Sequence, residues 1–255
     1  MTQAVDRLLF ARQGELYEEY ERLFASLFLH PEPYIDIIRA LATHRYGLTR
    51  DEVVAVLNKS NGGDLSKQLE NLVQCDFIRY HRVRRKKLSK TGGYYTLTDF
   101  FMQFYHSFLE SMPSDEHYWS HNFRSPKVNT YFGLSYERVC MAHIPQIKKA
   151  IGIDQIGTEY YSWRSNDSNQ RAQVDLIIER ADRIINLCEI KYSEGLYTID
   201  KSEDLKLRTR QTAFVDQTET RYGIMPTFIT TYGLTPNGYA NNISHQITMD
   251  DLFNE

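Results

Sequence analysis

Cysteine is scarce in this chain of 255 residues, which has only three: Cys75, Cys140 and Cys188. They are far apart in the sequence, odd in number and surrounded by apolar residues. A disulfide framework needs paired cysteines and a zinc site needs closely spaced ones, so neither is indicated. We expect all three cysteines to be reduced residues of the core.

Long apolar runs are absent as well. No segment approaches the roughly 20 apolar residues that a membrane-spanning helix requires. The first ten residues lack the basic start and unbroken apolar run of a secretory signal, because Asp6 and Arg7 interrupt them. These absences predict a cytoplasmic protein with no membrane partner.

An excess of positive charge is also missing, since the net charge is −3 at pH 7 and the isoelectric point is about 6.3. Affinity for nucleic acid therefore has to come from a local concentration of lysine and arginine rather than from the overall charge. The length of the chain allows two domains, because domains commonly contain about 100–150 residues.

The first hundred residues have the periodicity of helices. Residues 1–30 predict two amphipathic helices whose apolar face has no partner within the segment, so we interpret this segment as the remnant of a larger element. Residues 31–100 predict three short helices followed by a β-hairpin, which is the pattern of a winged helix-turn-helix. Thr49 and Glu52 form a capping box at the start of the second helix.

The remaining residues predict a connector and a second domain. Residues 101–128 are rich in aromatic side chains and predict a helical connector. Residues 129–255 alternate strands with helices, as an α/β domain does. The predicted elements are a helix from about Leu134, strands at 157–163, 173–179 and 184–192, a helix near 201–215 and a strand at 227–231. The fold class is thus α+β or α/β.

Two carboxylates and a lysine are predicted to meet in this second domain. The strands at 173–179 and 184–192 are separated by a polar turn, so they predict an antiparallel hairpin. Side chains alternate along a strand, which places Glu189 and Lys191 on one face and brings Asp175 beside them. Two oxygen ligands for Mg²⁺ with a lysine near the attacking water form a workable phosphodiesterase centre. The alternative is an ordinary ion pair on a solvated strand.

A third carboxylate, Glu137, is predicted to approach the same sheet. In the helix from about Leu134, the neighbours of Glu137 at helical spacing include Leu134, Cys140 and Ile144. Its side chain therefore points along the apolar stripe of that helix rather than into solvent.

These residues resemble the PD-(D/E)XK nuclease superfamily, through Glu137, then Asp175, then Glu189-Ile190-Lys191. Nearly the whole chain also resembles the C-terminal half of a bacterial and archaeal family of AAA/STAND-type ATPases, in which a nucleotide-binding domain is followed by a winged helix and a restriction-endonuclease-like domain. The stretches that carry this resemblance are residues 18–28, 62–67, 97–101 and 229–234.

The resemblance implies roles for particular residues. Asp175 and Glu189 would ligate Mg²⁺ or Mn²⁺, the carbonyl of Ile190 would complete the site, and Lys191 would orient the attacking water or stabilise the charged transition state. Glu137 would shape the metal site from its helix. Gln173 matches the family's polar position two residues before the acid, on the same strand face as Asp175.

The resemblance also has one large departure. The family's ATPase needs a Gly-x-x-x-x-Gly-Lys-Ser/Thr loop, and no segment of this chain has that pattern. The ATPase domain is therefore expected as a partner that this chain lacks, with residues 1–30 as the end of its lid. Oligomer formation is left open.

Positive charge is concentrated in the predicted hairpin wing. Seven basic residues and no acid lie between Phe77 and Lys90, and a wing of this kind commonly follows a phosphate backbone. The alternatives are a solvated loop and a joint between domains. The seven residues are Arg79, Arg82, Arg84, Arg85, Lys86, Lys87 and Lys90.

Two functions are compatible with these patterns. The first is a Mg²⁺-dependent DNA endonuclease domain joined to a winged-helix DNA-binding module. The second is a non-catalytic interaction or sensor module of a larger NTPase, in which the nuclease fold serves as a scaffold.

Overall fold

A computed structural model describes residues 2–44, 47–59, 62–82, 93–111, 113–165 and 172–254. It divides into two compact units, and the boundary falls between Tyr131 and Phe132. We call them the N-terminal unit and the C-terminal unit. The described residues of the three segments predicted at 1–30, 31–100 and 101–128 all belong to the N-terminal unit. Within the described residues, no helix is long and apolar enough to cross a membrane.

The N-terminal unit combines short helices with a small antiparallel sheet of order β1-β3-β2. In chain order its elements are α1 (Thr2–Val5), a π-helical turn (Asp6–Phe10), α2 (Glu19–Leu27), α3 (Glu32–Ala42), β1 (Leu48–Thr49), α4 (Arg50–Leu57), α5 (Gly63–Gln74), β2 (Ile78–Arg82), β3 (Gly93–Leu97), α6 (Phe100–Phe104), a second π-helical turn (Tyr105–Leu109) and α7 (Tyr118–Asn122). The three predicted helices and the pairing of β2 with β3 are observed. The strand β1 was not predicted.

The apolar face of the first thirty residues is covered by residues of the same unit that lie outside this segment. Phe24 is fully buried and stacks on Phe77, with ring centroids 5.5 Å apart. Tyr20 stacks on Tyr105 at 3.7 Å. Both α2 aromatics pack into a cluster with Ile37 of α3. Periodicity within 1–30 could not reveal this partner, because the covering residues lie far along the chain.

Helix α4 begins as its sequence predicts. The Thr49 hydroxyl accepts a hydrogen bond from the Glu52 main-chain N–H, and the Glu52 carboxylate accepts one from the Thr49 N–H at 2.7 Å. This reciprocal pair satisfies two N–H groups that a helix start leaves without partners.

One of the three cysteines is not a core residue. Cys140 and Cys188 are buried, whereas Cys75 is exposed, and all three are free thiols. Cys75 caps the C-terminal end of α5, beyond the stripe formed by Leu65, Leu69 and Leu72. The buried stripe of α5 therefore ends at Leu72, three residues before Cys75.

The C-terminal unit is built on a five-stranded sheet of order β4-β5-β6-β7-β8. Its elements are α8 (Pro126–Ala142, which starts in the N-terminal unit), α9 (Ile144–Ala150), β4 (Thr158–Arg164), β5 (Gln173–Arg180), β6 (Ile184–Lys191), α10 (Lys201–Thr218), β7 (Gly223–Thr230) and β8 (His245–Ile247). The strands β4, β5 and β6 pair antiparallel, and β6, β7 and β8 pair parallel. Helix α8 starts earlier than the predicted Leu134, and β8 was not predicted.

Helices cover both faces of this sheet. Cys188 and Ile190 of β6 pack with Cys140 of α8 and Ile147 of α9. The alternate residue Ile185 packs with Phe214 of α10. The side chains of β6 therefore alternate between an α8/α9 face and an α10 face.

Candidate active site

Strand β5 contains one extra residue beside Asp175. Tyr161 of β4 is opposite Ile177, but Trp163 is opposite Val174, so one residue of β4, Ser162, is matched by two of β5. This is a β-bulge, a feature that redirects a side chain and is frequent beside active sites. The Ser162 hydroxyl donates a 2.8 Å hydrogen bond to the main-chain carbonyl of Asp175 at this point.

The bulge interrupts the alternation of side chains at Asp175. Val174 and Ile177 pack into the same cluster on the α10 face although they are three residues apart. Leu176 packs on the α8/α9 face. Asp175 thus stands between two neighbours that face opposite sides of the sheet.

Gln173 and Val174 pair regularly with Arg164 and Trp163, ahead of the bulge at Asp175. Gln173 is half-buried and lies opposite Arg164 at the end of β5. That Gln173 shares a strand face with Asp175 stays a prediction, because the bulge begins after Val174.

Glu189 and Lys191 lie on the α10 face of β6, on one face as alternation predicts. Glu189 is only 6% exposed. Its Oε1 is 2.7 Å from the Lys191 ammonium, and its Oε2 is 2.5 Å from NH1 of Arg210 on α10. Each oxygen of this carboxylate is therefore paired with a cation.

A second carboxylate, Glu203, extends the network. Its Oε1 is 3.3 Å from the Lys191 ammonium, although the geometry there is not that of a hydrogen bond. The Glu203 main-chain N–H is held by the Asp200 carboxylate, which caps α10. The start of α10 thus places an acid over Lys191.

The charges of this network keep Lys191 protonated. Burial alone would lower the pKa of Lys191, but the Glu189 and Glu203 carboxylates raise it above its ordinary value. The pKa of Arg210 is likewise raised, since Glu189, Glu203 and Asp175 outweigh the effect of burial. Lys191 is therefore a hydrogen-bond donor and a positive charge at neutral pH, not a base.

Asp175 acts electrostatically on both sides of the sheet. The pairing of Leu176 with Cys188, continued by one residue, sets Asp175 opposite Glu189. Asp175 contributes to the raised pKa of Arg210 on the α10 face. Burial raises the pKa of the Cys140 thiol, on the α8/α9 face, to about 12, and Glu137 and Asp175 add to this. These electrostatic effects on both faces of the sheet are consistent with the position of Asp175 in the bulge.

Glu137 is half-buried on α8, between the buried residues Tyr136 and Cys140. Its helix packs on the α8/α9 face, whereas Glu189 and Lys191 point to the α10 face. Glu137 therefore lies on a helix at the opposite face of the sheet, where its electrostatic effect reaches Cys140. Ile190 also directs its side chain to that side, in the core.

Arg210 and Glu203 belong to the site, and sequence reasoning missed both. They lie seven residues apart on α10, and Arg210 precedes the buried Phe214 by four residues. That spacing puts all three on the sheet-facing stripe of the helix. The sequence does contain a signal for them: both charged residues stand at positions of α10 where the helical period predicts buried apolar side chains.

A cavity of about 350 Å³ adjoins the network between α10 and the strands β6 and β7. Its charged and polar lining includes Glu189, Arg210, Asp204, Arg208 and Gln211. Its apolar lining includes Leu207 and Phe228. A pocket of this size with a few convergent polar groups is typical of a ligand site.

The donor atoms fit a hard divalent cation. Among the described residues no group of three His, Cys, Asp or Glu side chains is arranged to hold a metal. Mg²⁺, however, commonly binds through one or two carboxylates and completes its shell with water and substrate phosphate. Asp175 and Glu189 can supply those oxygens. The three carboxylates of the cluster, with Glu203, also outnumber its two cations.

Most of the predicted wing lies outside the described residues. Arg84, Arg85, Lys86, Lys87 and Lys90 fall within 83–92. Arg79 and Arg82 are on β2, opposite Thr96 and Gly93 of β3.

No model of a known protein family matches this chain, and no curated protein matches it either.

Proposed function

We propose that the C-terminal unit is a Mg²⁺-dependent DNA endonuclease domain of the PD-(D/E)XK type. The observation that supports this most is the pairing of a bulged Asp175 with the strand that carries Glu189 and Lys191, beside a cavity. A half-buried group of acids and cations is costly to maintain in a fold, so its position beside a pocket favours a functional role.

The element order supports the same proposal. A helical layer (α8 and α9), three antiparallel strands, the crossover helix α10 and the parallel strand β7 form a mixed sheet with helices on both faces. In the N-terminal unit the order α3, β1, α4, α5, β2, β3 is what a winged helix requires, and we propose that it binds DNA.

The chain's own residues would divide the work of phosphodiester hydrolysis. Asp175 and Glu189 would hold the cation with their carboxylate oxygens, and the carbonyl of Ile190 would complete the protein's ligands. A bound divalent cation polarises a phosphate and lowers the pKa of coordinated water. Lys191, protonated at neutral pH, donates hydrogen bonds to the attacking water or to the phosphate oxygens that gain charge.

A second function is favoured by one observation. Both oxygens of Glu189 are already paired with protein cations, and such a network holds β6 and α10 together without any metal. On this account the unit is a non-catalytic interaction or sensor module of an AAA/STAND-type NTPase.

Metal binding and cleavage by acid variants distinguish the two. With Mn²⁺ titrated calorimetrically and supercoiled DNA as substrate, Asp175→Ala and Glu189→Ala should lose most of the metal affinity and all metal-dependent cleavage. The control is Asp216→Ala. Asp216 is an exposed acid near the C-terminal end of α10, and this variant should retain both metal affinity and cleavage. Equal Mn²⁺ affinity in the wild type and both site variants would refute the metal centre and favour the scaffold.

A further inference from the structure

Arg210 is hydrogen-bonded to a carboxylate oxygen that the proposed metal centre needs. Its NH1 is 2.5 Å from Oε2 of Glu189, while Lys191 is paired with Oε1. A Mg²⁺ ion would sit about 2.1 Å from a ligand oxygen. A dication at either oxygen would then lie within about 5 Å of a positive nitrogen, where repulsion between charges in a half-buried site is strong.

Arg210 is the cation of the pair that can move. Lys191 has a second acidic neighbour, Glu203, at 3.3 Å. The hydrogen bond of Arg210 goes to Glu189. Arg210 also lines the cavity of about 350 Å³, and the Asp204 carboxylate lines the same space. A displaced guanidinium therefore has room in the cavity, beside the Asp204 carboxylate that Arg208 already pairs with.

We propose that Arg210 is a displaceable counter-cation: it neutralises Glu189 in the metal-free protein and leaves that carboxylate for the adjacent cavity when a divalent cation enters. This inference rests on the proposed metal centre. It gives Arg210 a regulating role, because the Arg210–Glu189 ion pair must be broken before the cation binds. The free energy of that pair therefore lowers the affinity for the cation.

The test is a calorimetric titration of Mn²⁺ into the full chain without DNA. Arg210→Gln should bind Mn²⁺ about tenfold more tightly than the wild type, the change expected when a charge-assisted hydrogen bond no longer competes. Arg208→Gln is the matched control, since Arg208 lines the same cavity but pairs with Asp204 at 2.8 Å. Its Mn²⁺ affinity should stay within about twofold of the wild type.

The possible results separate this inference from the proposed function. If the wild type binds Mn²⁺ and Arg210→Gln binds it equally or more weakly, Arg210 is not a competing cation and the inference is overturned while the metal centre stands. If neither protein binds Mn²⁺ at millimolar concentration, the metal centre itself fails. Circular dichroism checks that each variant folds. Should Arg210→Gln not fold, Arg210→Lys, which keeps the charge with a shorter reach, should still bind Mn²⁺ more tightly, and unchanged affinity would overturn the inference.

Discussion

The hydroxyl of Ser162 on β4 donates a hydrogen bond to the main-chain carbonyl of Asp175, at the residue where β5 bulges. The bond ties β4 to the main chain of β5 at the residue where the alternation of β5 is interrupted. A side chain thirteen residues before Asp175 thus helps to fix the geometry of the site.

Removing this hydroxyl should loosen the bulge. We expect Ser162→Ala to lower the free energy of unfolding by about 1 kcal/mol, because the Asp175 carbonyl loses a hydrogen-bond partner. Mn²⁺ affinity should fall by a few fold as the carboxylate becomes less fixed. Urea unfolding and calorimetry measure the two effects. Thr198→Ala removes a hydroxyl bonded to Thr235 elsewhere in the unit and serves as the control. Equal Mn²⁺ affinity in wild type and Ser162→Ala would contradict the role of the bulge.

Lys191 should act as a charge rather than as a base. Lys191→Met leaves both acids in place, so Mn²⁺ should still bind, and more tightly, while turnover falls by about a hundredfold or more. Lys191→Arg, which retains the positive charge, should recover part of this loss. Cleavage assays and Mn²⁺ titration of the two variants test this, and a loss of metal binding in Lys191→Met would speak against it.

The pH dependence follows from the direction of the Lys191 shift. The pKa of Lys191 is raised above its ordinary 10.5 by Glu189 and Glu203. Its pairing therefore stabilises the fold fully below pH 10.5 and is lost only as the pH rises through the folded-state value. We therefore expect that deprotonation of Lys191 causes no loss of cleavage between pH 7 and about pH 10. A decline in that range that Lys191→Arg abolishes would show that the lysine titrates earlier.

His81 should make the N-terminal unit sensitive to acid. Burial, with the nearby charge of Arg79, lowers the pKa of His81 to about 4, and its Nε2 is 2.8 Å from the Thr96 hydroxyl. The unfolded chain binds a proton near pH 6.5, so the free energy of unfolding should decrease as the pH falls from 6.5 towards 4. Urea unfolding at several pH values should give a steeper decline for the wild type than for His81→Gln. Parallel curves would contradict the assignment.

The basic run of residues 83–92 has a direct electrostatic test. If it contacts phosphates, changing Arg84, Arg85, Lys86 and Lys87 together to glutamine should weaken DNA binding and flatten its salt dependence, since each lost contact removes roughly 0.9 from the slope. Lys148→Gln with Lys149→Gln, on α9, controls for a general loss of positive charge. An unchanged slope in the fourfold variant would assign the run to solvent.

The local elements of the site follow from the sequence alone. The hairpin of β5 and β6 and the shared face of Glu189 and Lys191 depend only on the two-residue period of a strand and on a short polar turn. The capping box at Thr49 and Glu52 is equally local. Such features are predictable because the atoms that decide them lie within a few residues of one another.

The tertiary structure decided what surrounds those elements. The ion pair of Arg210 with Glu189 joins residues 21 positions apart through the packing of α10 on the sheet. The bulge at Asp175 depends on how β4 pairs with β5, and no glycine or proline in β5 marks it. The partner of Phe24 is Phe77, more than fifty residues away. Sequence periodicity identifies which side of an element is buried, but only the packing of distant segments decides which side chains meet there.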